Sequence, residues 1–326
     1  MIDLFRAAPH VVLHRGRVVV VKIGGAALAK PAVLRSFARQ IAVVQALGSK
    51  VVVVHGGGPQ TDEMERLLGD TPRHVDGRRV TSAAALRALR LATAGELHGD
   101  VVAALAAEGA RAVGVSGASA GLLVASRRPP VETSEGVVDY GEVGDLRSVD
   151  PAPLLALLDA GFVPVVSPPV SDGKGGFLNV NADVAAARLA VALGAAKLML
   201  VTDVAGILAD ASDPRSFLST VSLDQLDALA KSGALRGGMM PKAASIRAAL
   251  LGGVERVHVV SGADGEAILA ELYTNHGAGT LVTREAQTVP AEDENGAGAT
   301  AQSALHGGAA APEGALVGGA AKVVGS

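Results

Sequence analysis

The stretch "VVVVKIGG" (Val18 to Gly25) and its echo "VVVVHGGGPQ" (Val51 to Gln60) constrain the fold more than anything else in the chain. Each is an unbroken run of β-branched residues that ends abruptly in glycines. A strand with one wet face alternates apolar and polar residues, whereas a strand covered on both faces does not. More apolar runs follow at Arg111 to Ser116, Phe162 to Val166, Leu198 to Thr202 and Arg256 to Val260. Between most of them lie longer Ala/Leu/Arg segments with helical spacing. Ala85, Leu86, Leu89 and Ala92 share one helical face, and Arg87 and Arg90 fall off it. Strand–helix alternation with right-handed crossovers predicts an α/β protein, a three-layer αβα sandwich around a mainly parallel sheet.

Composition then excludes several classes. Aromatics make up only 2% of the 326 residues, so the core must be built from Val, Leu, Ile and Ala. A net charge of −3 gives no global drive toward nucleic acid. With no cysteine there is no disulfide framework and no thiolate nucleophile or metal ligand, which fits a cytoplasmic location. Arg6, His14, Arg15, Arg17 and Lys22 interrupt the N-terminal apolar runs before a signal sequence can form. No apolar stretch reaches the roughly 18 residues of a membrane helix. A break near Ser167–Pro168–Pro169 divides the chain into residues 18–170 and 171–284, with "SDGKGG" (Ser171 to Gly176) as a hairpin turn. Residues 1–17 are too short for a domain and read as a docking helix. Residues 285–326 are Ala/Gly-rich without periodicity and are expected to be a disordered tail.

The glycine turns suggest chemistry. They let backbone N–H groups approach an anion closely, and a helix N-terminus behind them adds a favourable dipole. Alone, each cluster is more often a tight turn, but two of them after successive strands favour the anion site. "FLNVNADVAA" (Phe177 to Ala186) places Asn179, Asn181 and Asp183 on one face of an extended segment, either as converging polar groups or as a helix cap. "VTDVAGIL" (Val201 to Leu208) resembles a strand exit at a nucleotide-binding sheet edge. "GGMMPK" (Gly237 to Lys242) offers a second lysine behind flexible glycines, which by itself also fits a solvated loop.

Taken together, "KIGG", "HGGGPQ", "GRRVT", "NVNAD", "TDVAGIL" and "GGMMPK" stand in the order and spacing of the amino-acid kinase superfamily, and the set resembles the acetylglutamate kinases. The resemblance covers roughly residues 8 to 284. It implies the amino-acid kinase fold and transfer of the γ-phosphoryl of ATP, with Mg²⁺, to the side-chain carboxylate of N-acetyl-L-glutamate in arginine biosynthesis. It assigns acetylglutamate binding and dimerisation to residues 18–170 and ATP binding to residues 171–284. Lys22 and Lys242 would be the transition-state cations and Asp183 would orient them. Gly57, Gly58, Arg79 and Asn179 would bind acetylglutamate, with Arg79 on its α-carboxylate; Arg78 reads as a surface charge. Gly24 and Gly25 would hold phosphate, and Asp203, Gly206, Ile207 and Leu208 would contact ATP. No metal-ligating residues are expected.

Arginine-inhibited members form hexamers through an N-terminal helix, and "RVHVVSGADGEAILAELYTNHGAGT" resembles their effector region. His258, Glu271, Gly277 and Gly279 are the matching positions for an L-arginine site, and residues 1–17 are the candidate oligomerisation helix of a homodimer or hexamer. Three departures from the family pattern stand out: "SGASAG" at Ser116 to Gly121, His98–Gly99 where an Asn–Lys pair is common, and Ala26 after the first glycine pair. They leave two alternatives, a kinase for a related N-acyl amino acid and a non-catalytic amino-acid sensor. The kinase-like half of an acetylglutamate synthase is a third, and it would need an acetyltransferase domain that the roughly 40 residues after the core are too few to form.

Overall fold

The computed structural model describes residues 3–275 and 277–285, with the backbone alone at Leu4 and Pro214; residues 286–326 of the tail expected to be disordered lie outside them. The valine runs became strands because their side chains are buried on both faces. Among the described residues the central sheet has eight: β1 (Val18–Ile23), β2 (Lys50–His55), β3 (Ala112–Ser116), β4 (Val163–Ser167), β5 (Lys197–Thr202), β6 (Thr220–Ser222), β7 (Arg256–Ser261) and β8 (Thr280–Thr283). Their order in space is β6-β8-β7-β5-β1-β2-β4-β3. All neighbours run parallel except β7 with β8. From β1 the chain proceeds to β2, β4 and β3 on one side and to β5, β7, β8 and β6 on the other. The crevice between the carboxyl ends of β1 and β5 is therefore the switch point where α/β sheets bind ligands.

Side-chain parity decides what faces what. Val20 packs with Val52, Val54, Leu198 and Leu200 under helices that include Ala182–Ala192 and Met239–Leu251. Val19, Val21 and Ile23 pack on the opposite face, with Phe37, Ile41, Val101 and Ile268. The helices there are α1 (Leu4–His14), α2 (Pro31–Ala46), α5 (Leu97–Ala107) and α8 (Ala267–Tyr273). Between α2 and α5 in sequence come α3 (Gly58–Leu67) and α4 (Ala83–Leu91), and the pair on the first face is α6 (Ala182–Ala192) and α7 (Met239–Leu251). Lys22, two residues beyond Val20, thus points toward α6 and α7.

The expected helix over Ala85 to Ala92 is present, with Ala85, Leu89 and Ala92 buried, Leu86 half-buried and Arg87 and Arg90 exposed. It runs into a π-helical turn at Ala92–Glu96 before α5 begins. "SDGKGG" is the expected hairpin turn, joining Val170–Ser171 to Phe177–Leu178 antiparallel in a four-stranded second sheet. Helix α1 is capped by Asp3, whose carboxylate accepts from Phe5 N–H at 2.9 Å. It docks on α8, with His14 edge-on to Tyr273, and leaves Phe5, Val12 and Leu13 exposed.

Candidate active site

Three buried charged groups meet at the carboxyl end of β1. Lys22 Nζ lies 2.8 Å from Asp183 Oδ1, and Lys242 Nζ donates to Asp183 Oδ2 at 3.1 Å. Each arrives by a separate local rule. Lys22 is the polar end of a buried strand, placed by the parity that buries Val20. Asp183 sits in the first turn of α6, where Asn181 caps the helix by accepting from the N–H groups of Asp183 (2.8 Å) and Val184 (3.3 Å). Lys242 lies in the first turn of α7, which packs against α6. Burial alone would raise the Asp183 carboxyl, but the Lys22 and Lys242 ammonium groups outweigh it and hold it below its usual value. Burial, with Lys22 close by, pushes the Lys242 ammonium below its usual value, against the pull of Asp183. The cluster carries two cations against one anion, so it has positive charge left for a third, anionic group.

That charge faces a cavity of about 340 Å³ lined by Lys22, Asp183, Gly25, Gly57, Gly58, Arg79 and Asn179, with Arg78, Arg128, His74 and Pro168. Most of the expected substrate residues are therefore gathered in one place. Asn179 Nδ2 donates to Thr81 Oγ1 at 3.0 Å. Arg79 is tied down: Nη1 donates to Glu65 Oε2 at 2.7 Å, and Nη2 donates to Gly58 O at 3.0 Å and to Asp62. Of its five N–H donors, two remain for a ligand. Arg78, read from sequence as a surface charge, is exposed and also lines the cavity. Arg128 and His74 have no local signature that ties them to the glycine turns, and Thr81 of "GRRVT" and Pro168 of the Ser167–Pro168–Pro169 break had no site role assigned.

The glycines divide into structural and open ones. A Cβ on Gly25 would fall 2.7 Å from Gly57 Cα, and one on Gly57 would fall 2.3 Å from Thr93 Cγ2 in the π-turn. The two glycine loops are thus pressed against each other and against that turn, and Gln60 Nε2 clips them by donating to Gly25 O at 2.8 Å. A Cβ on Gly58 would meet nothing within 4 Å. Gly24 N–H donates to Val201 O at 3.2 Å, so it is already used in joining β1 to β5. The N–H groups of Gly57 and Gly58, at the start of α3, have no partner among the described residues.

Asp203, Gly206, Ile207 and Leu208 lie beyond the end of β5, outside this cavity. Asp203 is exposed and accepts from Thr202 Oγ1 at 3.0 Å. Gly206 is buried, and a Cβ there would come within 2.5 Å of Thr280 Oγ1 and 2.6 Å of the Phe217 ring. His258 and Glu271 are on the opposite face of the sheet. His258 Nδ1 donates to Glu271 Oε2 at 2.7 Å, and Glu271 Oε1 accepts from the N–H groups of Ala278 (2.8 Å) and Gly279 (2.7 Å). Gly277, at φ +34°, leaves room for that carboxylate, since a Cβ would approach Oε1 to 2.9 Å. Among the described residues no group of three or more His, Cys, Asp or Glu side chains is placed to hold a metal ion. No helix among them is long and apolar enough to cross a membrane.

A parallel sheet with a two-lysine anion site at its switch point is the arrangement of a phosphotransferase for small anionic acceptors. The amino acid kinase family matches residues 17–261, and the chain belongs to that family. Its relatives place it among the acetylglutamate kinases: it is 45% identical to the acetylglutamate kinase of Myxococcus xanthus over 294 residues, covering 88% of this chain and 96% of that one. The N-acetylglutamate synthase of Neisseria gonorrhoeae, solved with coenzyme A and N-acetylglutamate, superposes with a TM-score of 0.75 at 30% identity over 87% of this chain. This chain spans 63% of that structure's length. The same synthase solved with coenzyme A and L-arginine gives a TM-score of 0.72 at 31% identity, covering 87% of this chain and 65% of that one.

Proposed function

We propose that this chain transfers the γ-phosphoryl group of ATP to the side-chain carboxylate of N-acetyl-L-glutamate, giving N-acetyl-L-glutamyl 5-phosphate and ADP, a step of arginine biosynthesis. The observation that carries the reading is the Lys22–Asp183–Lys242 cluster opening into the basic cavity. An acceptor carboxylate with an ordinary pKa of about 4.3 is ionised at neutral pH, so no general base is needed. One of its oxygens bonds to the γ-phosphorus as the bond to the β-phosphate oxygen breaks, and ADP leaves. The obstacle is bringing two anions together, which positioning and fixed cations relieve. Lys22 and Lys242 are the cations, and Asp183 holds both ammonium groups in place. The open N–H groups of Gly57 and Gly58, together with Asn179 and the two remaining donors of Arg79, hold the acceptor. Gly24 and Gly25 shape the turn beneath the phosphates.

ATP lies on the side of Asp203, Gly206, Ile207 and Leu208, contributed by residues 171–284, and acetylglutamate on the side of residues 18–170. Mg²⁺ fits a site with few carboxylates, because it keeps several waters and binds through phosphate oxygens; Asp203 is an exposed carboxylate close enough to act on the Lys242 ammonium. The ion would supply charge neutralisation on the phosphates. The enzyme acts in the cytoplasm as a homodimer or hexamer, with the exposed Phe5, Val12 and Leu13 of α1 offering an apolar face to another copy. L-Arginine inhibits it at His258, Glu271, Gly277 and Gly279, where a buried carboxylate suits a guanidinium. ADP release measured with N-acetylglutamate, glutamate, aspartate and N-acetyl-aminoadipate as acceptors tests the reading. Turnover with N-acetylglutamate above all others supports it; turnover with none overturns it. An arginine titration that leaves both rate and sedimentation unchanged overturns the effector assignment.

A further inference from the structure

His55 and His98 form a direct imidazole–imidazole hydrogen bond, His55 Nε2 to His98 Nδ1, 2.9 Å. His55 ends β2, immediately before the glycine turn, and is fully buried. His98 is the second residue of α5, half-buried, at the position where the family pattern commonly has asparagine. The geometry fixes both tautomers. His55 Nδ1 lies 3.1 Å from Gly56 O, which can only accept, so Nδ1 carries the proton and Nε2 is a lone pair. His98 Nδ1 must then be the donor, and His98 Nε2 is left unprotonated. That nitrogen lies against β3, where a Cβ on Gly114 would approach it to 2.5 Å, so the glycine in "AVGVS" makes room for the ring.

This relay ends on the substrate loop. Gly56 N–H donates to Ile23 O at 2.9 Å, so the Gly56 residue is pinned at its N–H by β1 and at its carbonyl by His55. The next two residues are Gly57 and Gly58, whose N–H groups are the open donors at the cavity. Thr93 Oγ1, which donates to Pro168 O at 2.8 Å, belongs to the residue that packs against Gly57 and lies one turn before His98. The loop is thus tied to the π-turn by packing and to α5 by the imidazole bond.

We propose that the neutral His98–His55 relay is a positioning unit that holds the Gly56–Gly58 loop in its acceptor-binding geometry, and that protonation of His98 at Nε2 loosens the loop and weakens acetylglutamate binding. This rests on the functional reading above. The imidazolium would be the stronger donor to His55 Nε2, but its new Nε2–H would point at Gly114 and Val102 in a desolvated slot, so hydrating the charge requires the ring to leave that slot and break the bond to His55. Burial already pushes both rings below the ordinary histidine value, so the effect begins only in mildly acid solution.

Asparagine at position 98 can present an amide N–H where His98 Nδ1 stands, without a titratable nitrogen; leucine cannot. Between about pH 8 and about pH 5.5 the wild-type KM for acetylglutamate is expected to rise by at least about threefold relative to that of His98→Asn, whose KM carries only the titration of the substrates. His98→Leu should raise KM about fivefold at both pH values, with a smaller change in kcat, as for one lost neutral hydrogen bond. Nitrogen-15 imidazole spectra of the wild type at about pH 8 should show both rings as Nδ1–H tautomers. Parallel KM profiles for wild type and His98→Asn, or an Nε2–H tautomer at His98, overturn the inference. Should no acceptor be turned over at any pH, the functional reading falls, and the tautomers still decide whether the relay exists.

Discussion

Two buried carboxylates lie on opposite faces of the same sheet, and they are handled differently. Asp183 meets two lysines, retains an excess of positive charge and opens onto a cavity. Glu271 is closed: His258 donates to one oxygen, and the N–H groups of Ala278 and Gly279 donate to the other. Burial would raise the Glu271 carboxyl, but the His258 hydrogen bond and charge, with the two N–H groups, hold it below its usual value. Nearby, burial pushes Lys197, whose Nζ donates to Glu271 O at 3.4 Å, down to about 8 and His14 down to about 4. One face keeps a surplus cation aimed at an anion; the other satisfies its carboxylate internally. Surplus charge beside a cavity marks the reacting site, whereas the internally satisfied carboxylate ties α8 to the end of β7 and takes no part in the transfer.

Asp183→Asn should separate the two faces most strongly. It leaves two buried ammonium groups side by side, and activity should fall about 10³-fold while stability drops by about 3 kcal/mol. Steady-state rates and urea unfolding check it; retention of a tenth of the activity would erase the distinction. Glu271→Gln should instead act mainly on folding, lowering the unfolding free energy by about 2 kcal/mol as its three donors lose a charged acceptor, and should abolish any arginine response.

Acid sharpens the contrast further. His55 is pushed down to about 4 chiefly by burial, against an ordinary value of 6.5. Below pH 6.5 the unfolded chain takes up a proton that the native state refuses, so stability falls as pH drops toward about 4, by about 3 kcal/mol at the end of that window. His14 and His258 are shifted in the same direction. Urea melts at about pH 7 and about pH 4.5 test this; equal midpoints would contradict it. The glycines divide between a moderate effect and the smallest one. Gly206→Ala forces a contact with Thr280 and Phe217 and should cost about 1–3 kcal/mol of stability. Gly58→Ala meets open space, so it should leave the melting temperature nearly unchanged and raise KM for the acceptor.

The fold was legible because both faces of its strands are buried, so β1, β2, β4 and β5 announce themselves as continuous apolar runs. Lys22 and Asp183 were legible too, each as a polar residue closing a buried run or opening a helix. Other features have no local signature. The engagement of Arg79 by Glu65 and Asp62 depends on α3 folding back over the strand that carries it. The use of Gly24 N–H by Val201 O depends on sheet order, and burial of Glu271 depends on the β7–α8 packing. The bond between His55 and His98 joins residues 43 positions apart, and neither histidine reveals the other.

The most direct test of the central claim is hydroxylamine trapping of the acyl phosphate formed from ATP, Mg²⁺ and N-acetylglutamate, with wild type and Lys22→Ala side by side. The Lys22–Asp183–Lys242 account predicts abundant hydroxamate from the wild type and a signal reduced about 10²- to 10³-fold in the variant, with ATP binding retained. Comparable hydroxamate from both proteins would mean that the lysine at the end of β1 does not act on the transferring group.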